Sequence, residues 1–160
     1  MANASTYTDA EWGLLVGLPQ SVLVAASSVE SDGTRRTLAE GAAGMTAIAA
    51  GAESPHALVR DVAKAVVERV GGTEEGAELS LIELPSAAVP DVLDRARATA
   101  ALLAAKAPAD EATAYKHWLV TIAEEVAGAA RSGGVLGIGG EWVSEAERGF
   151  LHELTVALGD

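Results

Sequence analysis

The feature that most constrains this chain is a pattern that occurs twice, in residues 8–51 and in residues 109–159. Each copy consists of a long apolar segment with helical spacing, an acidic or glycine-rich turn, and a second helical segment that carries a glutamate. A helix–turn–helix unit cannot bury its apolar face alone, so two copies are expected to pack against each other. The repeat therefore predicts an all-α domain with approximate two-fold internal symmetry.

Capping residues mark where several of the predicted helices begin. Thr8 and Glu11 have the spacing of a capping box, as do Ser144 and Glu147, so the first and last helices should begin there. Ser54 precedes a proline and is expected to cap the third helix. With further helices from about residues 35, 90 and 110, the pattern predicts a compact bundle of about six or seven helices.

The remaining local signals agree with one helical domain that spans residues 1–160. Pro19 lacks a backbone N–H and is expected to kink the first helix or to divide it near Leu18. Residues 71–89 give mixed signals. The sequence has no alternating apolar pattern of the length that a β-strand needs.

The helix predicted from residue 110 has one apolar face, and we expect it to lie at the centre of the bundle with the helix from residue 8. This face spans about 100° and contains Tyr115, Trp118, Leu119, Ile122, Val126 and Ala129. The opposite side should face solvent or a partner, and it contains His117, Thr121, Glu124 and Gly128.

Charge limits the classes of partner. The chain has 11 Lys and Arg against 23 Asp and Glu, a formal net charge of −12. Such a field repels nucleic acid and anionic membranes, and it favours cations or a basic patch on another protein. We therefore expect a protein partner or a homo-oligomer and no nucleic acid.

Composition also bears on location. The chain has no cysteine, which excludes disulfides and thiolate metal sites. The uncharged run of residues 12–29 contains Pro19, Gln20 and several serines, so it is interpreted as a buried helix and not as a membrane span. The first 12 residues carry no Lys or Arg, unlike a signal peptide, and a cytoplasmic location is expected.

Two acidic clusters are candidate metal sites. Glu30, Asp32 and Glu40 would offer a hard cation such as Ca²⁺ or Mg²⁺ the oxygen ligands that it prefers, and Glu141 with Glu147 forms the corresponding group of the second copy. The alternatives are a solvated acidic turn for the first cluster and a capping-box role for Glu147. The spacing does not match an EF-hand loop.

Aromatic residues suggest a second kind of site. Trp12, Tyr115, His117 and Trp118 would line an apolar ligand pocket between the two half-repeats. The alternative is that the tryptophans belong to the core. The glycine-rich residues 133–140 follow a predicted helix and lack the lysine of a P-loop, which argues against phosphate binding.

The acidic turns also resemble a known family. Val29-Glu30-Ser31-Asp32-Gly33 with Glu40 downstream, and residues 140–147 in the second copy, are similar to the turns of the tellurite-resistance TerB-like superfamily. The resemblance implies a helical bundle, a cytoplasmic acidic protein, divalent-cation binding, and a stress-response or membrane-associated assembly role.

These observations lead to one favoured function and two alternatives. The favoured function is a non-enzymatic TerB-like binding or scaffold module that holds a hard divalent cation at its acidic turn. One alternative is a small helical enzyme or ligand carrier with an apolar pocket between the half-repeats. The other is a structural subunit that oligomerises through an apolar face.

Overall fold

The computed structural model of the chain describes residues 6–28, 34–71, 89–132 and 145–159, and for some residues at the helix ends it describes the backbone alone. These ranges contain six α-helices: α1 Asp9–Ser28, α2 Thr34–Ala50, α3 Ala57–Gly71, α4 Val89–Lys106, α5 Ala109–Ser132 and α6 Glu145–Ala157. A short 3₁₀ turn, Gly51–Glu53, follows α2. No strand occurs within the described ranges, and the predicted all-α class is confirmed.

Helix α5 lies at the centre of the bundle, because it contacts all five of the other helices. Helix α1 is the second central element and packs against α2, α3, α4 and α5. The central placement predicted for these two helices is therefore confirmed. The side chains of Trp118, Ile122 and Val126 are buried, as the apolar stripe of α5 predicts.

The contact between α2 and α5 is the most extensive in the bundle, and small residues allow it. A Cβ atom on Gly44 of α2 would lie 2.5 Å from Leu23 and 2.9 Å from Val126, so the α2 backbone approaches both α1 and α5 closely. Trp118 of α5 donates a hydrogen bond from Nε1 to the carbonyl oxygen of Ala47, at 3.2 Å. This hydrogen bond fixes the indole against α2.

Two local predictions need correction. Helix α1 continues through Pro19, so the division predicted near Leu18 does not occur, and the kink stays a prediction. Helix α3 begins at Ala57 and not at Pro55, the residue after the predicted cap Ser54. Ser54 Oγ accepts the backbone N–H of His56, at 3.2 Å. Two N–H groups at the start of α3 donate instead to a side chain of α5, described below.

Some predictions concern residues outside the described ranges. Glu30, Asp32 and Glu141 lie there, as do most of residues 71–89. The two-fold relation between residues 8–51 and 109–159 also remains a prediction. None of the helices that the structure describes has both the length and the apolar character needed to cross a membrane.

Candidate binding groove

An open groove of about 1160 Å³ lies beside the seam between α2 and α5. One wall is formed by the C-terminal half of α2 and the 3₁₀ turn, the other by α5, and the start of α3 closes one end. The residues that line it are Ala43, Thr46, Ala47, Ala50, Gly51, Ser54, His56, Val59, Ala109, Asp110, Thr113, Ala114, His117, Trp118, Thr121 and Glu125.

The groove exists because the α2 wall is built from small residues. Its α2 side carries three alanines and a threonine, which leave space above the backbone. Gly51 faces the indole of Trp118, and a Cβ atom there would lie 2.7 Å from the ring. Trp118 is only 8% exposed, so it forms the apolar floor of the groove and does not project into it.

The groove is acidic. Asp110 and Glu125 line it near the two ends of the α5 wall, and none of its described lining residues is Lys or Arg. The histidines His56 and His117 are its other titratable lining residues. The local field therefore has the same sign as the net charge of the chain and attracts cationic groups.

At one end of the groove, a glutamate from α5 caps α3. Glu111 accepts the backbone N–H of Ala57 at 3.2 Å and that of Leu58 at 2.7 Å. Its carboxylate thereby satisfies two of the four N–H groups that lack an intrahelical partner at a helix N-terminus, and its charge opposes the positive end of the helix dipole. This long-range cap explains why α3 does not need Ser54 as its N-cap.

The same carboxylate belongs to a three-residue cluster. His56 Nδ1 lies 3.8 Å from Glu111 Oε1. The carboxylate of Asp110 completes the group, whose ligand atoms all lie within 4.8 Å of one another. Among the residues that the structure describes, these three side chains form a group whose ligand atoms are close enough together to hold a metal ion.

The structure separates the four aromatic and histidine residues predicted to line a pocket. His117 and Trp118 line the groove. Trp12 lies elsewhere and stacks on Tyr7, with ring centroids 6.4 Å apart. Tyr115 is fully buried, and its hydroxyl donates to the carbonyl oxygen of Leu15 at 2.7 Å. Burial, and to a smaller extent Tyr7, raises the pKa of Tyr115 well above its ordinary value.

Most residues of the two predicted acidic metal sites lie outside the described residues, so these sites stay predictions. Glu40 lies in α2, but only its backbone is described, and Glu30, Asp32 and Glu141 lie outside the described residues. Glu147 is buried in α6, 4% exposed. Sequence reasoning missed the cluster of His56, Asp110 and Glu111, because His56 is more than 50 positions from the other two and no local pattern relates them.

Comparison of the chain with protein-family profiles, with curated proteins and with solved structures finds no match. The similarity of the acidic turns to the TerB-like superfamily therefore remains a prediction from the sequence.

Proposed function

We propose that this chain is a non-enzymatic binding module that holds a basic amphipathic helix of a partner protein in the groove between α2 and α5. The observation that carries the proposal is a large open groove with a small-residue wall, an apolar indole floor and acidic residues towards both ends. Grooves of this kind receive helices whose apolar residues recur at every third or fourth position.

The dimensions support a helix better than a small molecule. The α5 wall runs from Ala109 to Glu125, a rise of roughly 24 Å for an α-helix. This length accommodates four to five turns of a partner helix. The volume of about 1160 Å³ also exceeds the range of roughly 300–1,000 Å³ that is usual for small-molecule pockets.

Charge supports a basic partner. Asp110 and Glu125 are 15 positions apart in one helix, so a bound helix would meet a carboxylate near each end. Lysine or arginine at both ends of the partner, on either side of a central apolar face, would match this arrangement. Such complementarity increases association rates and selects against acidic partners.

A synthetic peptide tests the proposal. The probe is a labelled amphipathic helix of about 16 residues with leucine on one face and lysine on the other, and its binding is followed by fluorescence anisotropy. The lysine peptide should bind with saturation. A version with glutamate in place of lysine, and a version interrupted by proline, should bind at least about tenfold more weakly.

Variants of adjacent residues separate groove binding from general charge attraction. Glu124 and Glu125 are both exposed on α5, but only Glu125 lines the groove. Glu125→Lys should weaken peptide binding by about tenfold, whereas Glu124→Lys, with the same change in net charge, should have little effect. Equal effects of the two variants would refute docking in the groove.

A second pair of variants tests the shape. Thr113→Trp places a large side chain at an exposed position that lines the groove, and Ala101→Trp does so at an exposed position on α4. The first variant should abolish binding of the lysine peptide and the second should preserve it. Circular dichroism spectra that match the unmodified protein show that both variants remain helical.

A small-molecule carrier is the second candidate, favoured by the indole floor of Trp118. Native mass spectrometry of the purified protein distinguishes it. A retained organic molecule that Thr113→Trp removes and Ala101→Trp leaves bound would support the carrier and argue against the peptide groove.

The TerB-like interpretation is also a non-enzymatic binding function. We propose it in addition, for the acidic turn at residues 30–33. In that proposal the module acts in the cytoplasm in a stress response, and Glu30, Asp32 and Glu40 hold Ca²⁺ or Mg²⁺. Asp32→Asn with Glu40→Gln should then abolish any Ca²⁺-dependent rise in melting temperature. Isothermal titration without detectable Ca²⁺ or Mg²⁺ binding at millimolar concentration would reject this cation site.

A further inference from the structure

We infer that His56, Asp110 and Glu111 form a binding site for one divalent transition-metal ion of the Zn²⁺ class at the end of the groove. The three side chains come from two separate parts of the chain, the residue before α3 and the first turn of α5. Their ligand atoms already lie within 4.8 Å of one another. The inference rests on the geometry of these three side chains and not on the proposed partner helix, although both involve Asp110.

The distances are close to those of a metal site. Zinc binds imidazole nitrogen and carboxylate oxygen at about 2.0–2.2 Å, so tetrahedral ligands lie roughly 3.3–3.6 Å apart. The separation of 3.8 Å between His56 Nδ1 and Glu111 Oε1 nearly meets this value. The side chain of Asp110 is exposed and can rotate to close the remaining distance.

Glu111 is held in position by its surroundings. Both of its oxygens accept backbone N–H groups of α3, and its side chain is only 18% exposed. Ligating carboxylates in metal sites are commonly fixed by hydrogen bonds of this kind. Each carboxylate oxygen has a second lone pair, so the cap leaves capacity for a metal ion.

Two nearby features oppose a cation. The N-terminus of α3 carries a partial charge of roughly +0.5, and Arg60 donates to the carbonyl oxygen of Ser54 at 3.3 Å. The carboxylates of Asp110 and Glu111 contribute two full negative charges to the same cluster, more than the partial charge of the helix end. The imidazole of His56 binds a metal ion through a neutral nitrogen, so it adds no opposing charge to the site.

The ligand set points to Zn²⁺ rather than to Ca²⁺ or Mg²⁺. Calcium and magnesium prefer sites made of oxygen atoms alone, whereas an imidazole nitrogen favours zinc and its neighbours among the transition metals. His117 lies seven residues beyond Asp110, roughly 10 Å along α5, which is too far for a fourth ligand. His56 and Asp110 both line the groove, so the proposed ion would lie at its edge.

Isothermal titration of the untagged, chelator-treated protein with Zn²⁺ tests the site. One equivalent should bind, excess Ca²⁺ or Mg²⁺ should not displace it, and the melting temperature should rise with Zn²⁺. His56→Ala and Asp110→Asn should each lower the affinity by at least about tenfold. Matched controls are His152→Ala, an exposed histidine of α6, and Asp91→Asn, an exposed first-turn aspartate of α4.

Nuclear magnetic resonance gives a readout that a loss of stability would not imitate. Zn²⁺ should shift the imidazole signals of His56 and leave those of His152 unchanged. Glu111→Gln is avoided as the main variant, because it also alters the cap of α3. The inference is overturned if no saturable Zn²⁺ binding occurs below about 100 μM, a free energy of roughly −5.5 kcal/mol, or if the control variants weaken binding as much as His56→Ala.

Discussion

A single hydroxyl group explains how α1 continues through a proline. In an unbroken helix the carbonyl oxygen of Leu15 would accept the N–H of residue 19, but Pro19 has none. Tyr115 of α5 donates its hydroxyl to this carbonyl at 2.7 Å. The buried carbonyl is therefore satisfied by a central helix and not by its own helix, which offsets the hydrogen bond that the proline removes.

Removing that hydroxyl should be costly. Tyr115→Phe keeps the ring and leaves the Leu15 carbonyl without its donor, and we expect the free energy of unfolding to fall by about 1–3 kcal/mol. Urea denaturation measures the change. Pro19→Ala restores a backbone N–H, so Tyr115→Phe should cost about 1 kcal/mol less in that background. Equal costs in both backgrounds would show that the hydroxyl does not replace the missing N–H.

At the scale of helices, the seam between α2 and α5 depends on glycine. Gly44→Ala would place a methyl group against Leu23 and Val126, whereas the Cβ position of Gly41, one turn earlier, has open space. We expect Gly44→Ala to lower the free energy of unfolding by about 1–3 kcal/mol through overpacking. Gly41→Ala should raise it by up to about 1 kcal/mol through helix propensity. Thermal and urea unfolding of the two variants test this difference in sign.

The start of α1 predicts a pH dependence. Thr8 and Glu11 form the predicted capping box, with the N–H of Thr8 bound to Glu11 Oε2 at 2.8 Å and the N–H of Glu11 bound to Thr8 Oγ1 at 3.2 Å. Lys106 also donates to Glu11 Oε2, at 2.7 Å. The hydrogen bond from Lys106, followed by that from the Thr8 backbone, lowers the pKa of Glu11 below its ordinary value of 4.5.

Because the folded-state pKa of Glu11 is lowered, its contribution to stability is complete above the ordinary value of 4.5 and is lost as pH falls through the folded-state pKa. Glu11→Gln should therefore reduce the difference in urea midpoint between neutral and acidic pH. Glu153→Gln, at an exposed glutamate of α6, is the control. If Glu11→Gln and Glu153→Gln both lose as much stability at acidic pH as the unmodified protein does, the ionised capping box does not contribute to this pH dependence.

Helix limits were predictable where their signals are local. The capping box of α1 and the apolar stripe of α5 lie within a few residues of the positions that they define. The start of α3 was not predictable, because its cap is Glu111, 53 positions from Leu58. Val67 of α3 is 40% exposed, although the other apolar residues of that helix at helical spacing, Leu58, Val59, Val62 and Val66, are buried.

At the scale of the whole molecule, the sequence predicted the acidic charge of the candidate site but not which elements form it. The excess of acidic residues predicted a cationic partner, and the polar side of α5 predicted a face for solvent or a partner, where His117 and Thr121 line the groove. The groove itself depends on the packing of α2 against α5. The meeting of His56 with Asp110 likewise depends on tertiary contacts that no sequence periodicity encodes.

The net charge of −12 gives the last prediction, in which salt acts in opposite directions on folding and on binding. Raising NaCl from about 10 mM to about 150 mM shortens the Debye length from about 30 Å to about 8 Å. Repulsion among the acidic side chains is then screened, so the melting temperature should rise. Attraction between the acidic groove and the lysine peptide is screened as well, so the affinity for the peptide should fall. This salt-dependent fall should be smaller for Glu125→Lys than for Glu124→Lys. If the melting temperature rises with salt but the peptide affinity does not change, the carboxylates beside the groove do not contribute to binding. Any helix bound there would then be held by its apolar face alone.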